Sequence, residues 1–170
     1  GSRYEDAAEA GVSHFLEHML FKGCSGWPTA LAIANEIEGR GGYLNASTGY
    51  EYTSYWIKVG ARHWQQSLEL LADILRNPAF PEDKIKIAKE EQKAGISRRN
   101  DEPMTIARRE AMKAVFGADH PMARHTEYAT IAAVTRDDLV TFHAKYYHPN
   151  NVYLGVVGDF ETAKMKEKIA

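Results

Sequence analysis

The chain has 170 residues, 44% of them hydrophobic and 26% charged, which is ordinary for a soluble globular protein and long enough for one domain with a real core. Its 21 basic and 23 acidic residues are interleaved and leave a formal net charge of -2, giving no reason to expect nucleic acid or an anionic membrane surface as partner. The single cysteine, Cys24, cannot form an internal disulfide or a thiolate zinc site, so any metal must be held by His and carboxylate, and no apolar run approaches the ~20 residues of a membrane span.

The start, Gly1-Ser2-Arg3-Tyr4-Glu5, is neither an initiating Met nor a signal peptide, so the chain reads as processed or trimmed. From Ala10 to Lys22, Val12, Phe15, Leu16, Met19 and Leu20 recur at helical spacing, and Gly23 follows as a stop. Trp27-Pro28-Thr29 is a turn and N-cap for a second short helix through Leu31, Ile33, Ala34 and Ile37, which ends before Gly39. Tyr43 to Ser47 and Tyr50 to Val59 are β-rich and predict a hairpin turning around Thr48-Gly49. An amphipathic helix follows over Arg62 to Leu75, ended by Asn77-Pro78. Pro81-Glu82-Asp83 opens the next, which runs to about Asn100, and another spans roughly Met104 to Phe116. Gly117 to Thr130 reads as loop. Thr135-Arg136-Asp137-Asp138 resembles a capping box for a helix to about Tyr147. Val152 to Val157 reads as a strand, and the residues before Ala170 as the start of a last helix.

The chemistry lies in His14-Phe15-Leu16-Glu17-His18. Helical residues four apart share a face, so His14 and His18 can present two imidazole nitrogens to one metal ion, with Glu17 bordering that face. Zinc at such a site lowers the pKa of its water towards neutrality, and the adjacent carboxylate can act as general base. Chance alone produces this pattern in roughly one chain of this length in a few hundred. His63, His120, His125, His143 and His148 lack ligand spacing to one another, Cys24 reads as a small buried residue, and Tyr50, Tyr52, Tyr55 and Trp56 mix both faces of a strand and are mainly packing.

The segments Gly1 to Glu5, Gly11 to Gly23, Gly41 to Thr48, Asn77 to Phe80, Tyr146 to Asn151 and Gly158-Asp159-Phe160, in that order, resemble the pitrilysin and insulysin family of inverted-motif zinc peptidases, which includes mitochondrial processing peptidase. The resemblance implies an α+β domain, a mainly antiparallel sheet with helices packed on it, lacking the family's first strands, and occupying residues 1–170 as a single domain. It implies Zn2+ held by His14 and His18, Glu17 as catalytic base, and the Asn45-Ala46 strand as the edge on which an extended peptide substrate pairs. It also implies a second homologous domain or subunit, or a homo-oligomer, as partner.

In this family a glutamate roughly 70 to 77 residues beyond the second histidine completes the zinc site. That spacing lands on Gly95, next to Ala94, and neither can ligate a metal. Glu91, one turn earlier on the same face, is the candidate third ligand, with Glu90 beside it; the alternative is that both are solvated helix acids. The expected activity is zinc-dependent hydrolysis of peptide bonds. The rivals are a non-catalytic partner subunit and a metal-binding fragment that needs a second domain.

Overall fold

The structure, a computed structural model, describes residues 1–170 and is arranged around α1 (Val12–Leu20). Phe15, Leu16, Met19 and Leu20 of this helix are fully buried, because apolar residues cover more than one of its faces. Such burial contributes about 1.5–3 kcal/mol for each side chain. The helix begins at Gly11, whose φ of 101° lies in the left-handed region that glycine tolerates. No neighbouring Ser, Thr or Asp caps it. Instead the buried Glu5 carboxylate accepts from the amides of Gly11 and Ser13 at 2.8 and 2.7 Å, placing a negative group where the helix dipole favours one. Arg124 in turn donates to the Glu5 carbonyl at 2.5 Å.

Thr29 caps α2 (Ala30–Glu38) by accepting from the Ala32 amide at 3.1 Å. The glycines after it lead into β1 (Tyr43–Thr48), which pairs antiparallel with β2 (Thr53–Lys58) in the register Tyr43 with Lys58 through Thr48 with Thr53. The turn is longer than the sequence implies. Gly49 donates to the Tyr52 carbonyl at 2.9 Å, so residues 49 to 52 make the reversal and β2 starts at Thr53 rather than Tyr50. Leu44, Ala46 and Thr48 face inward on β1 while Tyr43, Asn45 and Ser47 face out.

Helices α3 (Trp64–Arg76), α4 (Glu82–Ser97), α5 (Pro103–Phe116), α7 (Arg136–Tyr146) and α8 (Thr162–Ile169) stand where the periodicity places them. The expected capping box of α7 is present, with the Asp138 carboxylate accepting from the Thr135 amide at 2.7 Å. Two apolar clusters hold the elements together. One joins α1 to Ile85 and Ala88 of α4 and Leu139 and Phe142 of α7; the other packs Ile33 and Ile37 of α2 on Leu70 and Ile74 of α3, against Leu44 and Ile57 of the hairpin.

The expected α+β class holds, but the sheet has only two strands and helices dominate. Val152–Val157 forms no strand, because no other strand lies alongside to complete its ladder; Tyr153 and Val157 are fully exposed. The stretch read as loop from Gly117 to Thr130 contains a 3-10 turn at Pro121–Ala123 and the start of α6 (Tyr128–Ala133). Six residues are too few to show a helical period, and α6 is instead fixed by Thr130, which bonds back to the Glu127 amide and carbonyl at 3.0 Å each.

Candidate metal centre

α1 brings His14, Glu17 and His18 together with all candidate ligand atoms within 4.8 Å of one another. The two Nε2 atoms lie 3.0 Å apart and the rings meet edge to face, 88° between planes. Two zinc–nitrogen bonds of about 2.0–2.1 Å at a tetrahedral angle need roughly 3.3 Å between nitrogens, so the pair fits a metal after a shift of a few tenths of an ångström. His14 is exposed, His18 half-buried and Glu17 buried. Burial, and secondarily the neighbouring His14, lower the pKa of His18, while Glu17 opposes the shift. The neutral imidazole that a metal requires is thereby favoured.

Glu17 is held from β1. The Thr48 hydroxyl donates to Glu17 Oε2 and sits 3.2 Å from the Thr53 hydroxyl. On the same face of β2, Tyr55 meets Tyr147 at the end of α7, their hydroxyls 2.8 Å apart. Burial pushes Tyr147 up to about 12, with hydrogen bonds from Tyr55 and Thr53 opposing and the Glu17 charge adding; burial and Tyr147 raise Tyr55 far above the tyrosine range. Both phenols therefore keep their protons at any working pH.

The cleft beside the cluster, about 550 Å³, is lined by His14, Glu17, His18, Phe21 and the backbone run Asn45 to Thr48. Ladder bonds alternate along an antiparallel pair, and with Gly49 bonded to Tyr52 the alternation turns the Ala46 amide outward, away from β2. That amide donates to Asn45 Oδ1 at 2.8 Å, and the Asn45 amide group donates to the Tyr43 hydroxyl. Asn45 and Ala46 thus line the cleft on an edge of β1 that no strand of the structure pairs.

Glu91 does not join the group. It is exposed on α4, lies outside the ligand cluster and bears on His18 only as a nearby charge. Glu90 is also exposed, and pairs with Lys93 at 2.7 Å. The α4 residues that reach the site are Gln92, whose amide lies 3.4 Å from His14 Nδ1, and Gly95, which lines a second cavity together with His14 and Gln92. A Cβ built on Gly95 meets nothing within 4 Å.

Three contributors escaped the sequence reading. Glu5 caps α1 from six residues before Gly11 and has no local signature; Gln92 is one more polar residue on a polar helix. Thr48 does carry a signal, since it follows Ala46 by two and must share the face turned to α1. Cys24 is buried as expected, and burial with Asp73 beside it pushes its thiol up to about 12.

The sequence model described as insulinase (peptidase family M16) matches residues 1–130, and that of the peptidase M16 inactive domain matches residues 133–170. A protein of Rickettsia felis named as an uncharacterized zinc protease is 37% identical over 169 residues, covering 97% of this chain and 40% of its own length. A probable mitochondrial-processing peptidase subunit beta of Arabidopsis thaliana is 32% identical over 186 residues, covering 99% of this chain and 32% of its own. The crystal structure of a protease from Helicobacter pylori superposes with a TM-score of 0.86 at 28% identity, covering 99% of this chain and 41% of that one. The chain thus spans about two fifths of the length of the Rickettsia and Helicobacter proteins. With a family match over residues 1–130 and the His14, Glu17 and His18 cluster inside it, the chain belongs to the insulinase family, peptidase family M16.

Proposed function

We propose that this chain is the metal-binding part of a zinc metalloendopeptidase that hydrolyses peptide bonds in extended peptides, with His14 and His18 as ligands and Glu17 as general base. The observation that carries this is the cluster itself: two Nε2 atoms facing each other at 3.0 Å with a carboxylate in the same group. Zinc relatives such as the Rickettsia protein support the choice of metal. When bound, zinc supplies Lewis acidity towards water and the substrate carbonyl.

Glu17 takes the proton of the attacking water and returns it to the departing amine. One of its oxygens is engaged by Thr48, which leaves the other for that proton. Asn45 and Ala46 hold the substrate by strand addition to the open edge of β1, with Asn45 releasing the Ala46 amide to a substrate carbonyl. Glu91 adds negative charge near His18. It becomes a direct ligand only if α4 shifts by about one turn, ~5.4 Å.

A second reading is favoured by Ala94 and Gly95, which put no carboxylate where α4 faces His14: the half-site is completed by another domain or subunit, and this chain alone binds metal without turnover. The test is cleavage of an unstructured peptide by the zinc-loaded chain, comparing the parent with Glu17→Gln. General base catalysis is worth roughly 10²–10⁴ in rate, so the variant should lose at least a hundredfold while binding zinc as before. Cleavage that survives Glu17→Gln removes the proposed mechanism; zinc binding without cleavage in the parent selects the second reading.

A further inference from the structure

Glu17 is anchored through Thr48, which is itself held by a second hydroxyl. Its carboxylate only accepts, and each hydroxyl in the network has a single proton to give. Thr48 spends its proton on Glu17, so at 3.2 Å from Thr53 it must accept the Thr53 proton. The Thr53 and Thr48 protons thus both point towards Glu17. On the same face of the hairpin, Tyr55 and Tyr147 pair with each other through their hydroxyls at 2.8 Å.

The fold builds this line deliberately. Thr48 and Thr53 form a directly opposed pair of the hairpin, next to the hydrogen-bonded turn pair, where side chains approach most closely. Tyr55 lies two residues on, on the same face, and packs with Tyr147 from the end of α7, whose ring is stacked on His143 with centroids 5.0 Å apart. His143 is itself tied to the Leu75 carbonyl at 2.7 Å. We propose that Thr48 is a positioning residue for Glu17, the last of two hydroxyls, Thr53 to Thr48, that form a one-way chain fixing the carboxylate beside the metal cluster. The catalytic meaning of this chain rests on the reading of Glu17 as base. The chain itself does not.

The test begins with the 170-residue chain in the absence of metal. Thr48→Val keeps the shape and leaves a buried carboxylate oxygen without its donor, a loss that for a chain of this size lowers the melting temperature by about 3–10 °C. Thr48→Ser keeps the donor and stays within about a degree of the parent. In a Glu17→Ala background, Thr48→Val costs nothing further. The direction of the chain adds an asymmetry: Thr53→Val removes the donor behind Thr48 while Thr48 still donates to Glu17, so it lowers the melting temperature less than Thr48→Val does. In the zinc-loaded peptide assay, Thr48→Val lowers kcat about tenfold, less than the roughly 10²–10⁴ lost with the base itself, with KM and zinc affinity unchanged, and Thr48→Ser restores it. If the parent does not cleave, the peptidase reading fails alone and the unfolding cycle still decides. Independent losses from Thr48 and Glu17, or Thr48→Ser as damaging as Thr48→Val, overturn the proposal.

Discussion

Gly95→Glu should convert a two-histidine site into a three-ligand one. Gly95 lines the cavity that also contains His14, its φ is not positive, and a Cβ there meets nothing within 4 Å, so the new side chain enters without a steric cost. Helix propensity favours the change by about 0.5 kcal/mol, and the helix dipole takes back a comparable few tenths because Gly95 lies in the last turn of α4. The fold itself should barely notice. A full zinc site of four ligands binds with about 10–16 kcal/mol, or roughly 2.5–4 kcal/mol per ligand. Ordering a glutamate side chain costs up to about 2 kcal/mol. The net gain of about 2 kcal/mol corresponds to a zinc Kd lower by roughly thirtyfold. Competition against a chromogenic chelator at pH 7.5 measures this, with Gly95→Ala as the control that changes helix propensity alone. If Gly95→Glu binds zinc no better than Gly95→Ala, or if the parent already binds tightly and Glu91→Ala abolishes it, then Glu91 is the third ligand and the geometry assigned to α4 is wrong.

Other perturbations test the scaffold. Leu16→Ala, at a fully buried position between the two histidines, should cost about 2–5 kcal/mol and lower the melting temperature by roughly 5–20 °C; a loss under 1 kcal/mol by urea unfolding would mean that α1 is not the centre of the core. The pKa of His125 is lowered by burial, then by Arg99, Lys113 and Arg109, and its Nε2 has no partner. Because the unfolded chain binds that proton more readily than the folded one, stability contributed at His125 is present above its ordinary value of 6.5 and is lost as the pH falls below it. His125→Gln should flatten the acid side of the stability profile between pH 7 and 5; an unchanged slope would contradict the assignment.

How much was legible follows from how local each signal is. The helix of His14 and His18 announces itself, since apolar residues at three- and four-residue spacing and a glycine stop all lie inside one short segment. The same holds for α3, α4, α5 and α7, and for the α7 capping box. What failed depends on partners distant in sequence. Val152–Val157 has the composition of a strand, but a strand exists only by pairing, and the structure offers it no neighbour. Counting residues from His18 reaches Gly95 and suggests Glu91 as substitute, yet the direction of a helix face at the site is set by packing of Ile85 and Ala88 on α1, which no spacing rule contains. The donor to Glu17 lies 31 positions away across the hairpin, and the cap of α1 comes from Glu5 through a fold-back of the chain.

The bond from the Ala46 amide to Asn45 Oδ1 has a consequence for selectivity. A sheet margin with bare amides recruits any extended chain, including copies of itself. In the strand addition proposed for this edge, a guest would first swing a carboxamide aside, trading one hydrogen bond for another, so main-chain pairing alone would yield little surplus. On that proposal, discrimination would fall to the guest's side chains against Phe21 and the outward face of β1, keeping stickiness towards arbitrary polypeptides low.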